Sequence, residues 1–331
     1  MDKFKDKKVL ITGGLGFIGS NLAHEFIKLG SKVTVFDIHN PSLNSNIFNV
    51  HEIRDWIKII KGDIRNFEEL NQAVKDQDII LNCAGQTSHP RSIKDPQLDV
   101  DINCKGTINV LEAVRRNNDK ARIIYVGSTT QIGKSQYTPV DEKHPEFPRD
   151  IYSANKTVAE KYNLIYNYIH GLNTTVLRSS NCFGPRAAIH SPDFGFMNYF
   201  IGLALQNKAL TVYGEGRQRR VVTYIKDLTD AILKSVDSKK TIGKTLFAVG
   251  DLRYSVKQIA DIIVNIFGSG SVGSIEWPEE RKKIEIGDTE ISNNEIKRII
   301  DWHPKYDLSL GLIETKNFYK DRLSNYIGGV K

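Results

Sequence analysis

The chain has 331 residues, 40% hydrophobic and 26% charged, with a formal net charge of +7, a composition typical of globular domains and unlike that of disordered or fibrous chains. No stretch approaches the roughly 18 unbroken apolar residues of a membrane-spanning helix. Basic residues are mixed with acidic ones along the whole chain, so neither a membrane nor a nucleic acid is expected as a partner.

The N-terminal MDKFKDKKVLITGG runs straight into a strand pattern, without the apolar segment and small-residue cleavage site of a signal peptide, so a cytoplasmic location is expected. Cys83, Cys104 and Cys182 are widely spaced and form no CxxC. They are expected to be reduced packing thiols, with no metal site.

Residues 8–12 (KVLIT), 32–37 (KVTVFD), 57–60 (IKII), 79–83 (IILNC), 122–126 (RIIYV) and 174–178 (TTVLR) are short β-branched runs separated by helix-length segments. This alternation predicts successive βαβ units and an α/β fold with a doubly wound, Rossmann-type parallel sheet. A helix is predicted over 17–29, with Ile18, Leu22 and Phe26 on one face and Gly30 as its left-handed stop; others are predicted over 103–116, 152–169 and 196–207. Beyond about residue 180 the regularity breaks down. The expected division is a dinucleotide-binding domain over 1–180, to which some later segments return, and a smaller α/β substrate region over 181–331.

VLITGGLGFIGS places Gly13, Gly16 and Gly19 after the first strand and at the mouth of the first helix. There the turn needs unusual dihedrals, the backbone must approach a pyrophosphate, and the helix N-terminus offers unpaired amides to it. Asp37 ends the second strand, 18 positions after Gly19, where a carboxylate accepts from a ribose diol and repels a 2′-phosphate. The following HNPSLNSN contains no arginine, so NAD is expected in preference to NADP. Asp63, after the third strand, suits an adenine contact, although an N-cap explains it nearly as well.

Ser128 follows the fifth strand, and Tyr152 and Lys156, in IYSANK, are four residues apart on one helix face. A free phenol has a pKa near ~10 and needs nearby positive charge to serve as a base at neutral pH. Lys156 and an oxidised nicotinamide would supply two such charges. Ser128 would hold the oxygen that changes between alcohol and carbonyl, while Thr129 and Thr130 are expected to cap or pack.

In order along the chain, TGGLGFIG, GDI, AGQ, the Ser128 segment, YSANK, RSSNCFGP, YGEGRQRR and WPEERKKIEIGD resemble the extended short-chain dehydrogenase/reductase family, in particular its nucleotide-sugar epimerases. The resemblance implies NAD-dependent epimerisation: hydride leaves a sugar carbon, the ketose turns over, and hydride returns to the opposite face. It places Phe17, Ile18, Asp37, Asp63, Ile64, Ala84, Gly85, Asn103, Tyr152, Lys156 and Ser180 around NAD. Asn181, Asn198, Arg220 and Arg281 would hold the nucleotide diphosphate, with Tyr213 near the base and His89 in the sugar pocket. A homodimer through helices near 103–116 and 152–169 is also implied.

The chain departs from the family pattern at Gln131 and Ile132, where Val-Tyr is usual, and at Val221, where Asp commonly follows the phosphate-binding arginine. Dehydratases of the family carry an Asp-Glu pair where Thr129 and Thr130 stand, so dehydration is not expected. The resemblance favours 4-epimerisation of a UDP-hexose, glucose/galactose or N-acetyl forms. The segment AGQTSHPRSIKDPQLDVDINCKGTINVLEA also resembles enzymes that invert carbon 2 of a CDP-deoxysugar, and a net oxidoreductase on nucleotide sugars is the further alternative.

Overall fold

The computed structural model describes residues 2–327. Seven strands form one parallel sheet: β1 (Lys8–Thr12), β2 (Lys32–Asp37), β3 (Ile57–Lys61), β4 (Ile79–Asn82), β5 (Arg122–Ser128), β6 (Asn173–Ser179) and β7 (Thr245–Phe247), in the order β7-β6-β5-β4-β1-β2-β3. The order reverses between β1 and β4, and at such a switch point the connections leave to opposite sides and open a crevice at the carboxyl ends of the strands.

The strands are apolar on both faces because both faces are covered. Val9, Ile11, Val33, Val35, Ile79 and Leu81 pack with Leu22, Ala23 and Phe26 of α1 (Phe17–Lys28). Leu10, Phe36, Ile80 and Ile123 face the other layer, where α2 (Phe67–Ala73) contributes Leu70 and Ala73 and α3 (Gly106–Asn117) contributes Val110, Leu111 and Val114. Helix α3 continues a helical run from Pro96 through a π-helical stretch, Val100–Lys105.

Helix α4 (Ile151–His170) carries the Tyr–Lys pair. It starts where Asp150 accepts from the Ser153 amide at 2.8 Å and stops at Gly171, which has φ of 67°; both are ordinary local signals for the ends of a helix.

The expected boundary at residue 180 is crossed by the later chain. Strand β7 pairs with β6, and α5 (Ile225–Asp237) puts Leu228, Ala231 and Ile232 into the core shared with β5 and β6. What remains is a smaller layer of helices, α6 (Val256–Phe267) and Leu308–Tyr319 among them, with paired strands Ala209–Tyr213 and Ser271–Ile275. No helix among the described residues is long and apolar enough to cross a membrane.

Candidate active site

The carboxyl ends of β1, β2, β4, β5 and β6 open onto one cleft of about 800 Å³. At its floor the glycine loop leaves no room for side chains. A Cβ on Gly13, which has φ of +67°, would lie 2.8 Å from the Ala84 backbone, and one on Gly19 would lie 2.4 Å from the Gly13 carbonyl. Gly16 caps α1 without a side-chain hydrogen bond, so the first amides of the helix remain available to an anion. This cradle fits the pyrophosphate of a dinucleotide.

Asp37 lines the cleft, and its carboxylate also accepts from the Leu15 amide (3.0 Å), the His39 amide (3.0 Å) and the Ser45 hydroxyl. It therefore ties the glycine loop to β2, and about one lone-pair direction remains for a ribose hydroxyl. Asp63 lines the cleft but does not cap α2; Asn66 does. Asp63 instead grips Arg65 at 2.6 Å, and although burial raises its pKa, the bonds to Arg65 outweigh that and hold it below the usual carboxylate range.

Phe17, Ile18, Ile64, Ala84, Gly85, Tyr152 and Lys156 also line the cleft. Two expected cofactor contacts do not. Asn103 is buried behind the wall, where its side chain donates to the Gln86 carbonyl at 3.0 Å and accepts from the Gln86 amide at 3.1 Å, so it pins the turn after Ala84. Ser180 is also buried, with its hydroxyl directed to the Val221 carbonyl at 3.3 Å, and Ser179 lines the cleft in its place.

Ser128, Tyr152 and Lys156 come together at the inner end. The Ser128 hydroxyl is 2.9 Å from that of Thr130, which also faces the cleft; Thr129 is buried. Lys156 donates to the Val126 carbonyl at 2.7 Å and sits 4.1 Å above the Tyr125 ring.

Burial pushes Tyr152 well above the ordinary phenol range, with the adjacent Ser128 hydroxyl opposing it, and the same burial pushes the Lys156 ammonium down to about 8. Desolvation disfavours the charged form of either group. The protein alone therefore does not make an easy base of Tyr152.

His89 stands against Tyr152, ring centroids 4.7 Å apart and edge-on, and its Nδ1 is 2.7 Å from Asp150. Asp150 thus caps α4 and orients His89 at once, a pairing across 61 positions that no local pattern reveals. Farther out, Tyr213 and Trp277 lie 5.2 Å apart and tilted, at the ends of the paired strands Ala209–Tyr213 and Ser271–Ile275. Trp277 was not among the expected site residues, although it opens the WPEERKKIEIGD segment that carries part of the resemblance, which is the signal that points to it.

The expected diphosphate contacts are unequal. Arg220 faces the cleft but is bound to Glu285 at 2.6 Å and to the Gly287 carbonyl at 2.6 Å. Asn198 faces it too; one of its two amide N–H donors goes to the Cys182 carbonyl at 3.0 Å, and its Oδ1 is buried and unpartnered. The helix that carries it, Phe196–Leu205, begins at Gly195 with no side-chain cap, so its first backbone amides are the better anion donors. Asn181, with φ of 39°, lines the cleft and donates to the Val221 carbonyl at 2.9 Å. Arg281 belongs to the helix Glu279–Ile284, and its side chain lies outside the described residues. Among the described residues no group of three or more His, Cys, Asp or Glu could hold a metal ion.

A glycine-floored dinucleotide crevice at the switch point of a parallel sheet, with hydroxyl, phenol and ammonium at its inner end, defines a pyridine-nucleotide-dependent enzyme. Residues 9–250 match the NAD dependent epimerase/dehydratase family, and the chain belongs to that family; its cofactor is NAD. Over 318 residues, 95% of this chain and 98% of the relative, it is 30% identical to a putative UDP-glucose 4-epimerase of Methanocaldococcus jannaschii. A CDP-paratose 2-epimerase of Salmonella typhi is 29% identical over 334 residues, covering 92% of this chain and 97% of the relative. Among solved structures, a UDP-N-acetylglucosamine 4-epimerase from Methanobrevibacter ruminantium in complex with UDP-N-acetylmuramic acid superposes with a TM-score of 0.87. That pair is 26% identical, with 96% of this chain and 99% of the other covered.

Proposed function

We propose that the chain is a UDP-hexose 4-epimerase, acting on the glucose/galactose pair or their N-acetyl forms. The observation that carries this reading is the continuity of one cleft from the glycine loop, past Ser128, Tyr152 and Lys156, to Asn181, Arg220 and Tyr213. Residues 1–180 would hold NAD and 181–331 most of the nucleotide sugar. When bound, NAD accepts and returns the hydride and, while oxidised, adds a positive charge beside Tyr152.

The chain's own residues then have distinct tasks. Tyr152 takes the hydroxyl proton as the sugar carbon becomes a ketone and returns it on reduction. Ser128, backed by Thr130, holds the oxygen that changes state. Lys156 would hold the nicotinamide ribose and, as an ammonium, favour the phenolate. His89, oriented by Asp150, presents its Nε2 side to the sugar. Arg220 suits a diphosphate because its planar fork pairs two phosphate oxygens, provided that Glu285 yields.

A CDP-sugar 2-epimerase is the second reading, supported by the 29% identical relative of that kind. We also read the protein as a cytoplasmic homodimer. Its three cysteines are free, and burial raises Cys83 to about 12, which suits a reducing compartment.

The test is incubation of NAD-loaded protein with UDP-, CDP-, GDP- and dTDP-sugars, followed by NMR of the sugar and absorbance of reduced nicotinamide. Interconversion of a UDP-hexose with no net absorbance change is expected. No interconversion of any sugar sinks the reading, and stoichiometric NADH formation replaces it with a net oxidoreductase. Tyr152→Phe should cut kcat by roughly 10²–10⁴-fold while NAD stays bound, because only the ionisable oxygen is lost. Wild-type-like turnover in that variant would remove Tyr152 from the mechanism.

A further inference from the structure

Behind the cleft, on the face of α4 away from solvent, Glu160 lies four residues after Lys156 and is 1% exposed. Three strands' worth of structure converge on its carboxylate. From the turn after β5, Gln131 donates Nε2 at 2.7 Å. Arg178, on β6, donates Nε at 2.8 Å and Nη2 at 2.7 Å, and Thr245, on β7, donates its hydroxyl at 3.1 Å. Arg178 also reaches Glu146 and lies 5.3 Å from the Phe247 ring.

Gln131 is the informative member. It is 0% exposed, three positions after Ser128, and its Oε1 has no hydrogen-bond partner. An aliphatic side chain there would fill the same space without stranding a buried acceptor, and a buried polar group left half-satisfied is costly. What the amide adds is a fixed length and direction, since a hydrogen bond to a carboxylate specifies position where apolar packing tolerates sliding. The bond joins the two segments whose relative placement matters most: the Ser128–Thr130 turn and the helix of Tyr152 and Lys156.

We propose that the Gln131–Glu160–Arg178 clasp is a positioning device that sets the Ser128 hydroxyl against the Tyr152 phenol. The inference rests on Ser128, Tyr152 and Lys156 being the reacting set. The clasp does not touch substrate; it acts through the turn it holds. Glu160 has a second effect through charge, because it stands one turn after Lys156 on α4 and, with Asp99 from the helical run before α3, supplies negative charge near an ammonium otherwise surrounded by the Tyr125 ring and the uncharged thiols of Cys83 and Cys104. Its negative charge opposes, without cancelling, the desolvation that lowers the ammonium.

Two variants test this. Gln131→Met keeps the length and volume but removes the donor. It should lower kcat by roughly 10- to 100-fold, the scale of a misplacement of about 1 Å, while KM for the nucleotide sugar and NAD retention stay within about threefold. A correctly folded, NAD-loaded Gln131→Met enzyme with kcat within twofold of wild type overturns the clasp. A merely structural role would lower Tm without this split between kcat and KM, and that result also overturns it.

Glu160→Gln keeps the shape and removes the charge, so the alkaline limb of its kcat–pH profile should move to lower pH. An unmoved limb overturns the electrostatic half of the proposal; if Gln131→Met does not fold, Gln131→Leu, which also removes the donor, takes its place under the same kcat and KM criteria. Wild-type inactivity on every sugar tested counts against the function reading alone, whereas wild-type turnover with an unaltered Gln131→Met counts against the clasp alone.

Discussion

Lys156 is a buried ammonium whose nearest acceptor is the Val126 carbonyl at 2.7 Å, and a neutral carbonyl compensates only part of the hydration lost on burial. Its pKa of about 8 follows from that shortfall. The charged form is present below this value and is lost as pH rises through it. If protonated Lys156 is what favours the phenolate, turnover should fall on the alkaline side with a midpoint near or below pH 8, because a bound cationic ring lowers the ammonium further. A kcat profile that stays flat to about pH 10 would show that Lys156 works without its charge. Tyr152 has the opposite problem, since burial holds its proton on. At this scale the identities were legible in the sequence and the electrostatics were not: Tyr and Lys at i and i+4 fix a shared face, but desolvation depends on what covers that face. The same limit explains Asn103 and Ser180, which stand at the right places in the chain with side chains directed into the wall.

The segment that follows the helix Glu279–Ile284 is where element and site meet. Glu285 accepts from Arg220 at 2.6 Å and from the Gly287 amide at 2.9 Å, and its carbonyl accepts from Arg149 at 3.0 Å, so it closes one side of the cleft over the expected diphosphate position. A carboxylate and a diphosphate compete for the same guanidinium, and like charges placed together are unfavourable. Glu285→Gln should therefore tighten UDP binding by about three- to tenfold in calorimetry, a modest factor because the pair is partly exposed. Weaker binding instead would mean that Glu285 orients Arg220 for the phosphates and does not compete with them. Six strands of the large sheet could be read from sequence because burial on both faces writes continuous apolar runs, and the end of α1 because Gly30 marks it; the three-residue β7 and the Asp150 cap of α4 show only in the structure. The elements around Arg220 could not: Cys182–Phe183, Arg219–Val221 and Thr223–Tyr224 are two or three residues long, too short to carry any periodicity. The contacts of His89 with Asp150 and of Arg220 with Glu285 bridge 61 and 65 positions, and only the fold brings them together.

For the molecule as a whole, the outer face of α4 poses a separate question. Ile151, Val158 and Ile165 are 38%, 37% and 51% exposed at intervals of seven residues, with Tyr168 and Ile169 at the far end. Val100 and Ile93 are also exposed apolar residues, on helical segments that pack against α4. Scattered exposed apolar residues are ordinary, but a stripe at heptad spacing on a long helix is the pattern of a helix–helix seam. A two-fold axis across the α3–α4 pair would bury each stripe against its copy and form a four-helix bundle, the isologous contact commonest among homo-oligomers. The catalytic helix would then lie at the interface, with Tyr152 and Lys156 on its inner face and the stripe on its outer one. Burying a fully exposed side chain of this kind contributes about 1.5–3 kcal/mol, and these residues, already partly buried, retain roughly half of that, so the two stripes together are comparable with an association cost of order 4–15 kcal/mol. Light scattering on the eluting protein should give twice the 37.4 kDa chain mass. Ile165→Lys places an ammonium and its symmetry copy in that seam without touching the cleft. It should shift the species to the single-chain mass and raise the dimer dissociation constant by at least about 10²-fold, since each buried unpaired charge costs several kcal/mol. A wild-type protein that elutes at the single-chain mass at micromolar concentration, or an Ile165→Lys variant that remains double, would mean that this stripe is not the seam.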